Sequence, residues 1–171
     1  VAEPFLLRPL TPADAPAYRD ARLAALQSDP LAFITTAAEF AGRAPGDVAA
    51  QLEARADAVS LGAWWGGDLV GLLSVARETR PTLAHRAAIY GVSVARGARG
   101  RGCGDALLRA GIAHARSWPG VTSLHLGVTE TQHAARRLYE RGGFQVWGTQ
   151  PDAVQDPAGR HYAEHHLWLP L

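Results

Sequence analysis

The chain of 171 residues contains no lysine, no asparagine and no methionine, and it has a single cysteine, Cys103. Each absence excludes a chemistry. Without lysine there is no P-loop nucleotide site, and no Schiff base for a pyridoxal enzyme or an aldolase. One cysteine cannot build a disulfide framework, a cysteine zinc site or an iron–sulfur cluster. All 17 basic residues are arginine, and the bias toward Ala, Arg, Gly and Pro reads as GC-rich coding rather than a selected property. Set against 16 acidic residues they leave a formal charge of +1. That balance argues against nucleic acid or an anionic membrane as a partner held by bulk electrostatics, although Arg96, Arg99 and Arg101 form a local cluster. No apolar run approaches a membrane span, and Val1–Leu10 has neither a basic start nor a long apolar core, so a cytoplasmic protein is expected. The length predicts one domain over residues 1–171, with one core.

The pattern along the chain alternates helix and strand signals. Phe5–Arg8 reads as an opening strand, ended by Pro9, and Thr11-Pro12 starts a helix that runs to about Gln27. Pro30, Gly42 and Pro45 make Asp29–Gly46 an irregular loop, and alanine-rich Asp47–Ala58 reads as helix. Leu61–Trp65 and Leu69–Arg77, joined by Gly66-Gly67-Asp68, read as a hairpin, and Arg86–Ala95 as a further strand. Helices are predicted over Gly104–Arg116 and Thr131–Arg141, with the strand Ser123–Val128 between them. Two last strands, Phe144–Gln150 and Tyr162–Leu169, flank a loop rich in proline and aspartate.

The most informative segment is Arg99-Gly100-Arg101-Gly102-Cys103-Gly104, set between a strand and a helix. Glycines there let successive backbone N–H groups turn inward, and the helix N-terminus adds about half a positive charge, which suits a pyrophosphate. A dinucleotide fingerprint fails on the letters, because Asp105 and Leu107 stand where it needs glycine.

The pattern Arg-x-x-Gly-x-Gly at Arg99, Gly102 and Gly104, after Gly91-Val92-Ser93-Val94, resembles the acetyl-CoA motif of the Gcn5-related N-acetyltransferases. A second signature is also similar to that family: Val128, Gln132, Ala135, Leu138, Tyr139, Glu140, Gly143 and Phe144. The resemblance covers nearly the whole chain in element order. It implies an α/β domain with a mixed central sheet of about seven strands, flanking helices and a cleft where the fourth and fifth strands splay apart.

The resemblance also implies roles. The main chain of Val92, Ser93 and Val94 would hold the pantetheine arm, and backbone N–H groups of Arg99, Gly100, Arg101, Gly102, Cys103, Gly104 and Asp105 the pyrophosphate. A donor near Val92 would polarise the thioester carbonyl. Tyr139 matches the tyrosine that protonates the departing thiolate. Gln132 stands where the family usually has asparagine, and Ala88 where histone-type members place a glutamate base. Glu39, Tyr90 and Glu164 therefore rank first as bases, ahead of Glu78, Glu130 and His85, with Tyr90 expected on the same strand face as Ala88 and Val92. The acceptor pocket is expected between Asp29–Gly46 and Gln150–Tyr162. Phe33, Tyr90, Trp147 and Tyr162 are its candidate walls, and Glu39 or Glu164 would attract an ammonium group.

His161, His165 and His166 lie on a strand pattern that spaces them too widely for joint metal ligation, so no metal is expected. Cys103 reads as a small turn residue, since the family transfers acetyl without an acyl-enzyme. The expected activity is acetyl transfer from acetyl-CoA to a primary amine of a small molecule or peptide, in a ternary complex, by a monomer or homodimer. Ala88 and Gln132 leave open an alternative, a catalytically silent acyl-CoA-binding or sensor domain.

Overall fold

Residues 5–171 are described by the structure, a computed structural model; Val1–Pro4, part of the stretch read above for a leader, lie outside the described residues. Strand β1 (Leu6–Pro9) leads through a turn of 3-10 helix, Pro12–Asp14, into α1 (Ala15–Ser28). Two short helices follow, α2 (Ala37–Ala41) and α3 (Pro45–Gln51). Then come β2 (Ala58–Trp65), β3 (Asp68–Arg77), β4 (Arg86–Val94), α4 (Cys103–Ser117), β5 (Ser123–Thr129), α5 (His133–Arg141), β6 (Gln145–Gln155) and β7 (His161–Pro170). The strands form one mixed sheet in the order β1-β2-β3-β4-β5-β7-β6, and only β4 and β5 run parallel.

The two sheet faces carry separate cores. Leu107, Leu108 and Ile112 of α4 and Leu138 and Tyr139 of α5 pack on Leu73, Val75, Leu124, Leu126 and Leu167. Across the sheet, Tyr18 and Leu26 of α1, Phe40 of α2 and Val48 of α3 close over Leu72. Each buried leucine contributes about 1.5–3 kcal/mol, so α4, with a broad buried face, is the main anchor of the sheet.

Beyond Ala88↔His125 the parallel pairing stops, although β4 continues to Val94 and β5 to Thr129. The expected splay is therefore present. On its other edge β4 stays paired to β3, but with one extra residue: Leu72 faces Ser93 while Ser74 faces Tyr90. The bulge is formed at Gly91, whose φ of +63° is easy for glycine and strained for other residues.

That bulge corrects the expected period. Ile89 and, past the bulge, Val92 both pack toward the α4 core, so Tyr90 shares a face with Ala88 but not with Val92. Three further boundaries differ from expectation. The loop Asp29–Gly46 contains α2, because Thr36 and Glu39 form a capping box: Glu39 N donates to Thr36 Oγ1 at 3.1 Å and Thr36 N to Glu39 Oε2 at 2.7 Å. The helix expected over Asp47–Ala58 ends at Gln51, and β2 starts at Ala58 because Ala58↔Ala76 extends its ladder with β3. The final loop shrinks to a tight hairpin end, because Asp156 accepts hydrogen bonds from the Ala158 and Arg160 N–H groups and from Tyr162 Oη. The Arg160 N–H bond comes first among the causes that lower its carboxyl to about 2.

Candidate active site

A groove of about 1180 Å³ runs from the C-terminal end of α1 across the splay to the starts of α4 and α5. Its floor is the main chain of Val92, Ser93 and Val94, unpaired on the β5 side. At one end, Gly100 and Gly102 take φ of +71° and +83°, and Gly102 caps α4. The first N–H groups of a 15-residue helix have no intrahelical acceptor, so an anion placed before Cys103 meets both free donors and the helix dipole.

Side chains around this cradle divide by task. Arg99 is tied down, with Nη2 donating to Asp29 Oδ2 at 2.9 Å and Nε to the Val94 carbonyl at 2.9 Å, which locks the loop to β4 and α1. The Arg101 guanidinium lies over Trp65, 4.7 Å from the ring centroid. Gly104 serves packing, since a β-carbon there would come within 3.1 Å of Leu138 on α5. Cys103 is buried in the core and its thiol is pushed up to about 11 by desolvation, so only its main chain is available to a ligand. Asp105 pairs with Arg141 at 3.2 Å. The motif did not flag Arg137 or Arg141 of α5, which line the groove with Arg96. Their signal was the four-residue spacing of 137 and 141 behind Gln132.

Gln132 precedes α5 at the groove wall, and its Nε2 reaches Thr131 Oγ1 at 3.4 Å. Tyr139 lines the same groove, is 6% exposed, and meets Phe144 edge-on with centroids 6.1 Å apart. Burial pushes its phenol well above the usual value, so it keeps its proton throughout the neutral range.

The expected bases are dispersed. The Glu39 carboxylate is occupied by its capping box, and the Thr36 N–H holds its pKa down. Tyr90 is half exposed near Ser74, Tyr18 and Arg55, with its pKa raised chiefly by burial. Glu164 of β7 lies over β5: a β-carbon on Gly127 would sit 2.7 Å from Glu164 Oε1. Since Gly127 belongs to the half of β5 that has left β4, the carboxylate stands at the mouth of the splay. His166 Nε2 is 3.5 Å from the same oxygen.

Among the expected acceptor walls, Phe33 lines the large groove. Trp147 tilts against His166, 5.6 Å between centroids, and borders a second cavity of about 200 Å³ with Arg86, His125 and Gly127. Tyr162 is held away from both by its bond to Asp156 at 3.0 Å. His165 accepts or donates to Thr149 Oγ1 at 2.9 Å and lies 3.4 Å from Arg136 Nη1. Arg22 was not anticipated. Its guanidinium lies 4.4 Å from the Phe33 centroid, and its Nη1 is buried without a partner among the described residues. The signal for it was an arginine between Tyr18 and Leu26 on the buried stripe of α1.

Comparison with known proteins agrees with this geometry. Residues 23–144 match the model of the Acetyltransferase (GNAT) family. Mycothiol acetyltransferase of Salinispora tropica is 38% identical over 81 residues, which are 47% of this chain and 26% of that protein. The L-amino acid N-acetyltransferase AaaT of Escherichia coli is 32% identical over 83 residues, 48% of this chain and 51% of that protein. The matched segments thus span between a quarter and about half of these relatives. In fold, the chain superposes on yncA of Salmonella typhimurium, solved with its cofactor acetyl-CoA, with a TM-score of 0.84 at 22% identity, covering 99% of this chain and 95% of that one.

Proposed function

Because this chain belongs to the acetyltransferase (GNAT) family, we propose that it moves an acetyl group from acetyl-CoA to a primary amine of a small molecule or peptide, by direct attack in a ternary complex. The observation that supports this reading best is a groove that joins an anion cradle, an opened strand edge and a buried phenol; the Glu164 carboxylate lies outside its lining, over Gly127 on the part of β5 that has left β4. The cradle fits a pyrophosphate: Gly100 and Gly102 supply the turn, α4 the free N–H groups, and Arg96 and Arg137 positive charge that no described ion pair uses. The unpaired edge of Val92–Val94 fits an amide-bearing arm.

When bound, acetyl-CoA supplies an electrophilic thioester carbonyl and a thiolate leaving group. The acceptor must reach that carbon as a free amine, yet a lysine-like amine, with a pKa of about 10.4, arrives mostly protonated. Glu164 takes that proton, because its carboxylate stands at the splay while Glu39 is held in a helix cap and Tyr90 retains its own proton. Tyr139 gives its proton to the departing sulfur, a role that burial enforces by keeping the phenol neutral. Nitrogen gains the acetyl carbon and the carbon–sulfur bond breaks; nitrogen loses two protons, the first to Glu164 before attack and the second as the tetrahedral intermediate collapses, while Tyr139 protonates the sulfur and the second proton restores its phenol.

Thiol release measured with acetyl-CoA and a broad panel of primary amines tests the reading. The expected result is release that requires an amine and yields one acetylated amine per thiol. Tight binding of acetyl-CoA with no release for any amine would leave only a cofactor-binding domain.

A further inference from the structure

On α1, Tyr18, Arg22 and Leu26 follow one another at four-residue intervals along the buried side. Tyr18 and Leu26 are 5% and 1% exposed and belong to the core beneath the helix, so Arg22 interrupts a row that otherwise buries rings and alkyl groups. A guanidinium cannot shed its proton to escape burial. Its Nη1 is nonetheless withdrawn from solvent and without a hydrogen-bond partner among the described residues. Desolvation is the main influence on this group and lowers its pKa, opposed in part by Tyr18. A buried charged donor left unpaired is costly, and a ligand anion would offset that cost.

The place of this donor is specific. A β-carbon on Gly91 would lie 3.8 Å from Arg22 Nη1, and Gly91 is the bulge residue of β4, just past the last β4–β5 pair. Phe33, whose ring carries the guanidinium, lines the groove, as do Ala21, Ala24 and Ala25 beside Arg22 on α1. The unpaired donor therefore adjoins the splay on the α1 side of the sheet, behind groove-lining Phe33 and the α1 alanines.

We propose that Arg22 binds an anionic group of the acceptor, a carboxylate or an equivalent oxyanion, so that the preferred substrate is an amine carrying a carboxylate a few bonds away, a free amino acid being the simplest form. The inference rests on the reading that this cleft acetylates an amine. Arginine suits the task because its planar fork holds a carboxylate through two parallel N–H donors. The N-terminal residue of a peptide has its α-carboxyl tied up in an amide, so peptides and plain alkylamines are poorer substrates. The cation–π contact with Phe33 then has a second effect, since it orients the fork and shapes the pocket wall together.

Matched pairs test this: leucine against isopentylamine and alanine against ethylamine, with kcat/KM read by thiol release at saturating acetyl-CoA for wild type, Arg22→Ala and Arg22→Lys. Wild type is expected to favour the carboxylate-bearing member by roughly ten- to a hundredfold, the worth of one charge-assisted contact. Arg22→Ala should remove that preference mainly through KM, and change the plain amine by less than about threefold, while Arg22→Lys restores part of it. Equal use of both members by wild type overturns the inference alone. An equal fall for both members in Arg22→Ala also overturns it, because it would mark Arg22 as a structural support for Phe33. No release by wild type with any amine overturns the transferase reading, and this inference with it.

Discussion

The carboxylate of Glu164 fills the space that a side chain on Gly127 would need: its Oε1 lies 2.7 Å and its Oε2 3.2 Å from the position of a β-carbon there. Gly127 and Glu164 sit on neighbouring antiparallel strands, on the same sheet face, where β5 has already parted from β4. The absence of a side chain at 127 is what lets the carboxylate reach the splay. Gly127→Ala is expected to displace it and lower kcat at least tenfold with acetyl-CoA affinity unchanged. Glu164→Gln should lower kcat by about a hundredfold or more, in the range of a lost general base. Steady-state kinetics beside calorimetric binding of acetyl-CoA checks both.

Tyr139→Phe keeps the edge contact with Phe144 and removes only the hydroxyl. The variant should fold and bind acetyl-CoA as wild type does, and turn over about a hundredfold more slowly. Because burial keeps the phenol protonated well above its usual range, the wild-type rate should show no loss attributable to Tyr139 ionisation between pH 6 and about 10. Unchanged thiol release by the phenylalanine variant across that range would remove Tyr139 from its acid role.

Gly102 holds φ at +83° directly before the first turn of α4. Gly102→Ala should cost about 1–2 kcal/mol of stability from the left-handed backbone and weaken acetyl-CoA binding by less than tenfold. Gly102→Glu adds a carboxylate where the donors converge, and is expected to weaken binding at least a hundredfold. Calorimetric titration of the two variants separates the backbone effect from the charge effect.

Asp14 receives Arg8 through two bonds, Nη1 to Oδ2 at 2.7 Å and Nη2 to Oδ1 at 2.8 Å, and also the Thr11 N–H at 2.8 Å. The Arg8 bonds lower its carboxyl from 3.8 to about 2. Folding thus favours the ionised form, so the contribution is full above about pH 4 and fades as pH falls toward 2. Because the Arg8 side chain is 38% exposed, solvent screening limits it to about 1 kcal/mol. Urea unfolding of wild type and Asp14→Asn should differ by that amount at pH 7 and converge near pH 2.

The letters made much of this legible. The run Arg99–Gly104 marked the turn before α4, where Gly100 and Gly102 take positive φ while Gly104 makes room for Leu138, and the apolar face of α4 and the strand patterns set the sheet. The bulge at Gly91 was not legible. A glycine within a strand pattern does not say which way the ladder shifts, and one extra residue reversed the face of Val92 relative to Tyr90. Helix α2 was hidden because its stability comes from the Thr36–Glu39 capping box rather than from a periodic face. Glu164 was one carboxylate among several in the sequence, and only the strand register of β7 against β5 placed it over Gly127. Arg22 stood in the row of Tyr18 and Leu26, but its unpartnered Nη1 showed only once the helix was packed.

Transfer of isotope-labelled acetyl from acetyl-CoA to a primary amine, followed side by side in wild type and Glu164→Gln, decides whether this groove is a working transferase. The expected result is label on the amine and none on the protein, with the rate about a hundredfold lower in the variant and acetyl-CoA affinity the same. Label that stays on acetyl-CoA with every amine, or that moves equally fast in both proteins, would overturn the account.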